Sequence, residues 1–218
     1  MAIQWAGVGT PTYGTDTGSF SGSPATPPLY KSSKDHLIFA VGGDGGRSLP
    51  TVTVPTDWAY ANADGDYGFL SSRATKAAPA TPTLPPITWS VAASGTNNWQ
   101  MVYAAVRAAA IGMHAHGSTN VLRTIANPIP TATGLWIVVQ LLSASPTLPS
   151  GWTLRHFSKS GATRGLSIAT ASVTYGVWPD LPHVGSGSDK CVLWQCAGDV
   201  GPDVGPTRNG WAVGRLAW

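Results

Sequence analysis

The sequence predicts an all-β protein that consists of two tandem antiparallel β-sandwiches of jelly-roll type, with an extended N-terminal arm and a C-terminal tail. Three observations lead to this prediction. The 218 residues include 26 Gly and 18 Pro, which interrupt the chain too often for long helices. All 10 acidic residues are Asp and none is Glu, although Glu is the better helix former. A pattern of apolar and aromatic segments also occurs twice, about 95 residues apart.

The repeat predicts two domains of similar construction. Residues 37–41 (LIFAV) resemble residues 135–139 (LWIVV), and each segment is followed by a turn in which proline precedes tryptophan by three positions. These pairs, Pro55/Trp58 and Pro149/Trp152, lie 94 positions apart. Each copy then ends in a further aromatic strand. A period of this length is too long for a solenoid repeat and fits one small all-β domain.

Residues 1–34 are predicted to form an N-terminal arm or an initial edge strand. Consecutive prolines and many Gly, Ser and Thr residues favour extended backbone that lies across a surface. Aromatic residues recur along this segment as anchors, and the same residues would also fit a cap on the first sandwich. They are Trp5, Tyr13, Phe20 and Tyr30.

The first sandwich is assigned to residues 35–112. Residues 37–41 are continuously apolar, as in a strand buried on both faces, and residues 51–54 and 87–91 alternate. An Asp-Gly pair within residues 62–66 predicts a hairpin turn, and this reading is preferred to a calcium loop because the closing Glu is missing. Residues 100–111 are rich in alanine, but their period of two predicts a strand.

A connector at residues 113–130 leads to the second sandwich at 131–200 and a strap at 201–218. The second copy is less regular, since prolines interrupt residues 178–183 where a strand is expected. The strap begins after a short repeat of Asp-Val-Gly-Pro and carries Trp211 and Trp218. An apolar chain end of this kind is expected to pack on its own domain or on a partner.

Charge and composition exclude several classes of function. The net charge is +3 and the 13 basic residues are scattered, so no nucleic-acid-binding face is predicted. No segment approaches the ~18 apolar residues of a membrane span, and the N-terminus lacks the features of a signal peptide. Synthesis and folding in a cytoplasm are therefore expected. Only 11% of residues are charged, which predicts a homo-oligomer whose surface is covered by neighbouring subunits.

No catalytic, cofactor or metal site is predicted. The five histidines have no nucleophile–base spacing, and the glycine-rich residues 42–48 lack the Lys-Ser/Thr ending of a phosphate loop. The pair His114 and His116 could share a strand face, but no third metal ligand is close in sequence. Cys191 and Cys196 lie five positions apart, on opposite faces of a strand, and are expected to be reduced core residues.

The tryptophans divide into two groups. Trp58 and Trp152 recur at matching positions and are expected to fill the core beside the proline turn. The aromatic residues outside the repeat are the candidate interface residues, because aromatic side chains dominate interfaces, and they could instead stack on sugar rings. They are Trp5, Tyr13, Phe20, Trp178, Trp211 and Trp218.

Residues 1–10 (MAIQWAGVGT), residues 35–41 (DHLIFAV) and the turn at 149–153 (PSGWT) together resemble tailed-bacteriophage virion proteins with repeated β-sandwich units. The matching turn at 55–59 (PTDWA) departs from that pattern at two positions. The resemblance implies a component of the virion surface and transfers no functional residue. Low charge and aromatic termini then favour a non-enzymatic capsid decoration or cement protein bound to capsid subunits. The alternative is a tail fibre or baseplate component, bound to tail subunits, that recognises a host-surface receptor or glycan.

Overall fold

A computed structural model shows that every described element is a β-strand, which confirms the all-β prediction. It describes residues 3–16, 19–25, 27, 35–43, 51–53, 58–65, 69–75, 87–90, 97–108, 110–118, 121–124, 134–159, 164–174, 180, 182 and 190–197. The strands are β1 Gln4–Val8, β2 Thr12–Asp16, β3 Ser19–Gly22, β4 Asp35–Gly43, β5 Thr51–Thr53, β6 Trp58–Gly65, β7 Phe69–Thr75, β8 Ile87–Ser90, β9 Asn97–Arg107, β10 Ala110–Ser118, β11 Val121–Thr124, β12 Gly134–Leu142, β13 Trp152–Ser158, β14 Gly165–Val173 and β15 Lys190–Ala197.

The described strands form three antiparallel sheets. The first sheet has the order β1-β9-β4-β7-β6, and β2 follows β1 along the same edge of β9. The second sheet has the order β11-β10-β15-β12-β14-β13. A third, smaller sheet has the order β3-β8-β5 and lies against the first sheet near Met101, because a Cβ on Gly22 of β3 would meet the Met101 Sδ atom at 2.6 Å.

The two large sheets repeat one topology. Taken in chain order, β1, β4, β6, β7 and β9 occupy the same relative places as β10, β12, β13, β14 and β15. The same pairings also carry β-bulges, namely β1/β9 and β6/β7 in the first sheet and β10/β15 and β13/β14 in the second. In addition, β1 lies against β13 and β6 lies against β10, as an approximate two-fold relation between the copies requires. The sequence repeat therefore corresponds to a duplicated sheet.

The division into two tandem sandwiches is not confirmed, because the two copies share one hydrophobic core. Ile38 of β4 and Val102 of β9 belong to the same buried cluster as Ile137 of β12 and Trp194 of β15. Each copy thus contributes one layer of a common sandwich. Burying one face of a sheet against its duplicate removes apolar surface from water on both sheets at once.

The predicted limits of the domains and of the N-terminal arm can be compared with the observed strands. The boundary between residues 112 and 113 falls inside β10, which pairs with β15 and so belongs to the second sheet. Two segments within residues 1–34, Gln4–Val8 and Thr12–Asp16, pair with β9 as edge strands. The strap at 201–218 lies outside the described residues, as do residues 178, 179, 181 and 183 of the proline-rich stretch.

The strand predictions inside each copy are confirmed. Residues 37–41 lie in β4 and are fully buried on both faces, and the alanine-rich segment continues as strand β9 as far as Arg107. The antiparallel pairing of β6 with β7 confirms the two predicted strands, but the turn predicted at residues 62–66 is wrong in position, because residues 62–65 belong to β6 and pair with residues 69–72 of β7.

The tryptophan of the second proline turn fills the core as predicted. The Trp152 backbone N–H donates to the Pro149 carbonyl oxygen at 3.3 Å, and Gly151 adopts a φ of 88°, which favours glycine. The indole is buried, and its Nε1 donates to the Asp180 carbonyl oxygen at 2.7 Å. The side chain of Trp58 is outside the described part of the structure.

The two cysteines lie on opposite faces of β15, as the spacing predicts. Cys196 belongs to the core shared by the two sheets, whereas Cys191 packs with Trp136 and Leu193 on the other face of the second sheet. Neither cysteine forms a disulfide, and burial raises the pKa of Cys196. The prediction that both cysteines are core residues is confirmed.

Candidate functional site: the edge cleft

The most distinctive group of polar and aromatic side chains lies where an edge of each large sheet meets the other. Strands β1 and β2 form one edge of the first sheet, β13 forms one edge of the second, and β1 lies against β13. We call the contact between these edges the edge cleft. Its residues are Trp5, Tyr13, Gln100, Arg155, His156 and Ser158.

One end of the edge cleft is formed by Trp5 and Arg155. The guanidinium carbon of Arg155 lies 5.6 Å from the centroid of the half-buried Trp5 ring, within the range of a cation–π contact. Arg155 is the extra residue of the bulge between Leu154 and His156, and its Nε donates to Thr170 Oγ1 at 2.9 Å. The bulge therefore directs Arg155, which stays exposed, towards Trp5 of the first sheet.

The other end is a hydrogen-bonded chain that links the two sheets. Ser158 Oγ donates to Gln100 Oε1 at 2.6 Å, and His156 Nε2 lies 2.8 Å from Ser158 Oγ. Because the Ser158 proton is directed at Gln100, His156 Nε2 is the donor in its contact with Ser158. This arrangement places no base on the serine proton. It positions β13 against β9 instead.

Tyr13 lies beside this chain on the neighbouring edge strand. It is paired with Gln100 across β2 and β9, so the two side chains start from the same face, and Tyr13 is 41% exposed. Thr15, two positions along the same face, donates from Oγ1 to Asn98 Oδ1 at 2.7 Å. An exposed aromatic ring thus borders a row of polar groups.

Burial affects the protonation of His156 in the edge cleft. Desolvation lowers the pKa of His156 below its ordinary value of 6.5, so the imidazole is neutral at pH 7. The carboxylate of Asp16 lies on the opposite face of β2 from Tyr13, where it accepts a hydrogen bond from Trp99 Nε1 at 3.0 Å. The edge cleft therefore combines aromatic rings, neutral hydrogen-bonding groups and the guanidinium of Arg155.

Acidification is expected to weaken the fold through His156. Because the folded-state pKa is lowered, the stabilising contribution is present above pH 6.5 and is lost as the pH falls through the folded-state value. We expect the thermal midpoint to fall less between about pH 7.5 and about pH 5 in His156→Gln than in the parent protein. Equal pH dependence of the two proteins, measured by circular dichroism, would exclude this role.

Two of the six predicted interface residues, Trp5 and Tyr13, lie on the edge strands of the edge cleft, opposite positions of β9 that are six residues apart. Phe20 lies on β3, but its side chain is not described, and Trp178, Trp211 and Trp218 are outside the described residues. Sequence reasoning missed Gln100, Arg155, His156 and Ser158. Their signal would have been polar residues on the inward faces of β9 and β13, and the bulge in β13 obscures it.

The remaining candidate positions are only partly described. His114 and His116 lie on β10, and His114 is the extra residue of a bulge, but their side chains are outside the description. Within the described residues, His, Cys, Asp and Glu side chains do not gather in groups of three or more that could hold a metal ion. The described part of the chain also contains no helix long and apolar enough to cross a membrane.

Comparison with known proteins gives no relative. No protein family, curated protein or solved structure matches this chain.

Proposed function

We propose that this chain is a non-enzymatic structural protein of a tailed-bacteriophage virion, and that it decorates the outer capsid surface as a homo-oligomer. The observation that supports this most is the duplicated framework, in which two copies of one sheet share a core. A sandwich of this kind serves as a rigid platform from which edges and termini reach neighbouring subunits.

The phage-like turn sequence is consistent with the same proposal. In PSGWT, Gly151 supplies a positive φ and Trp152 fills the core, so the matched residues are those that build the framework. A motif of this type supports a structural resemblance and carries no catalytic group.

The low charge favours a covered surface. With 11% charged residues, an isolated molecule has little electrostatic repulsion to keep it apart from its copies. In a decoration protein, contacts with capsid subunits and with other copies would cover that surface.

Two measurements test the proposal. Antibody labelling or cryo-electron microscopy of intact particles should place the protein on the head. Deletion of residues 207–218, which removes Trp211 and Trp218, should weaken oligomerisation or binding to empty shells, with a folded core verified by circular dichroism. Absence from particles, or unchanged shell binding and oligomeric state after the deletion, would contradict the proposal.

A second candidate is a tail fibre or baseplate component that binds the host surface. The edge cleft is the observation that favours it, because an exposed tyrosine and an arginine lie beside neutral hydrogen-bonding groups. Label on the tail, and not on the head, would select this alternative.

A further inference from the structure

We propose that two molecules of this chain form a dimer by exchanging halves, so that each sandwich contains β1–β9 of one molecule and β10–β15 of the other. The partner is therefore a second copy of the same chain. The inference does not rest on the proposed decoration role, because exchange needs no capsid and is measured on the purified protein.

The path of the chain divides the sandwich into two halves that are joined once. Among the described strands, β1–β9 lie in the first and third sheets, and β10–β15 all lie in the second sheet. The chain passes from one half to the other between Arg107, the last residue of β9, and Ala110, the first residue of β10. This single connector decides whether the two halves of a sandwich come from one molecule or from two.

The contacts between the halves do not require that both halves belong to the same molecule. Trp194 Nε1 donates to Ser72 Oγ at 2.8 Å, and Ser158 Oγ donates to Gln100 Oε1 at 2.6 Å. These bonds, like the shared core, join one half to the other, so an exchanged dimer keeps them. The free-energy difference between two closed monomers and the dimer is then confined to the connector and to the entropy of association.

Exchange also preserves the pairing of the strands. In the described sheets, β9 pairs with β1, β2 and β4, whereas β10 pairs with β11 and β15, so the backbone ladders lie within one half or the other. His36 Nε2 donates to the Ala108 carbonyl oxygen at 3.1 Å, which holds the start of the connector on the first sheet. The change between the closed and exchanged forms is therefore confined to the step from Ala108 to Ala110.

The connector is short for the distance that it spans. Three steps between consecutive Cα atoms separate Arg107 from Ala110, and together they reach at most about 11 Å. Stacked sheets lie about 10 Å apart, so the connector has almost no slack when it crosses between the layers of one sandwich. Short connectors favour exchange, because they limit closure within one molecule and do not limit pairing between two.

Protein concentration selects between the two forms. The closed monomer forms within a single chain and is favoured by dilution, whereas exchange requires two open chains to meet. The dimer is therefore expected when the chains fold at high concentration. Once formed, it should persist on dilution, because its conversion to monomers requires that the shared core be opened.

The test compares full-length variants that are refolded from urea at low and at high protein concentration. Light scattering after size-exclusion chromatography should show monomer from dilute refolding and a rising dimer fraction from concentrated refolding of the parent protein. Insertion of Gly-Ser-Gly-Ser-Gly-Ser between residues 109 and 110 should lower the dimerisation constant at least about tenfold, because a longer connector closes readily within one molecule.

The same insertion in a loop within one half is the matched control. Ala144 and Ser145 are exposed and lie between β12 and β13, which both belong to the second sheet. An insertion between them lengthens the chain equally and does not alter the connector, so it should leave the dimerisation constant unchanged. Circular dichroism verifies that each variant is folded.

Any one of three results would overturn the inference. They are monomer alone from every refolding of the parent protein, equal dimer fractions with the insertion in the connector and in the control loop, and a purified dimer that dissociates promptly on dilution without urea. None of these results alters the location of the protein in the particle, so failure here is distinguishable from failure of the structural role.

Discussion

Trp194→Ala is expected to lower the free energy of unfolding by about 3–5 kcal/mol, the usual cost of truncating a buried aromatic side chain. Trp194 is fully buried in the core shared by the two large sheets. Its Nε1 donates to Ser72 Oγ of the opposite sheet at 2.8 Å. Truncation removes apolar contacts at the interface between the two copies and also leaves the Ser72 hydroxyl without this donor.

Urea unfolding followed by circular dichroism measures the effect. Ser72→Ala is the matched control, because it keeps the packing and leaves a buried indole N–H unsatisfied, at a cost of about 1–3 kcal/mol. A loss below about 1 kcal/mol for Trp194→Ala, well under the range for buried aromatic residues, would show that the sheets do not share this core.

Trp136→Ala is expected to cost as much, although Trp136 lies on the other face of the second sheet. It is fully buried and packs in a second cluster with Val138, Trp152 and Leu193. A sandwich of only two layers would expose this face to water. The expected loss in the free energy of unfolding is again about 3–5 kcal/mol, because the truncation leaves a cavity in this second buried cluster.

Leu154→Ala provides the comparison for this variant. Leu154 lies on the same face of the second sheet but is exposed, so its truncation should change stability by no more than about 0.5 kcal/mol. Quenching of tryptophan fluorescence by acrylamide also measures whether this face is accessible to solvent. Similar small losses for Trp136→Ala and Leu154→Ala would mean that this face is open to solvent.

The sequence predicted the fold class and most strands, but not the way in which the copies pack. Turn residues and apolar runs are local signals, whereas the choice between two sandwiches and one depends on contacts between distant strands. Aligning residues 37–41 with 135–139 also places Leu37 beside Leu135, yet Leu135 faces the shared core and Leu37 does not. Both central strands are apolar on both faces, so no alternation distinguishes registers that differ by one residue.

Of the residues in the edge cleft, the sequence singled out only Trp5 and Tyr13, as candidate interface residues. Trp5 and Tyr13 stood out because they recur in a polar N-terminal segment. The hydrogen bond between Gln100 and Ser158 joins residues 58 positions apart, and no local pattern connects them. The bulge that redirects Arg155 is likewise a property of strand pairing, which a single strand sequence does not contain.

The repeated topology also affects how the sandwich responds to dilution. A shorter chain with one copy would need to encounter a second molecule before its apolar face could be covered, and its folded fraction would depend on protein concentration. Joining both halves in one polypeptide turns that encounter into an intramolecular step with a high effective concentration. The sandwich can then form in a newly made single chain, before any other molecule is met.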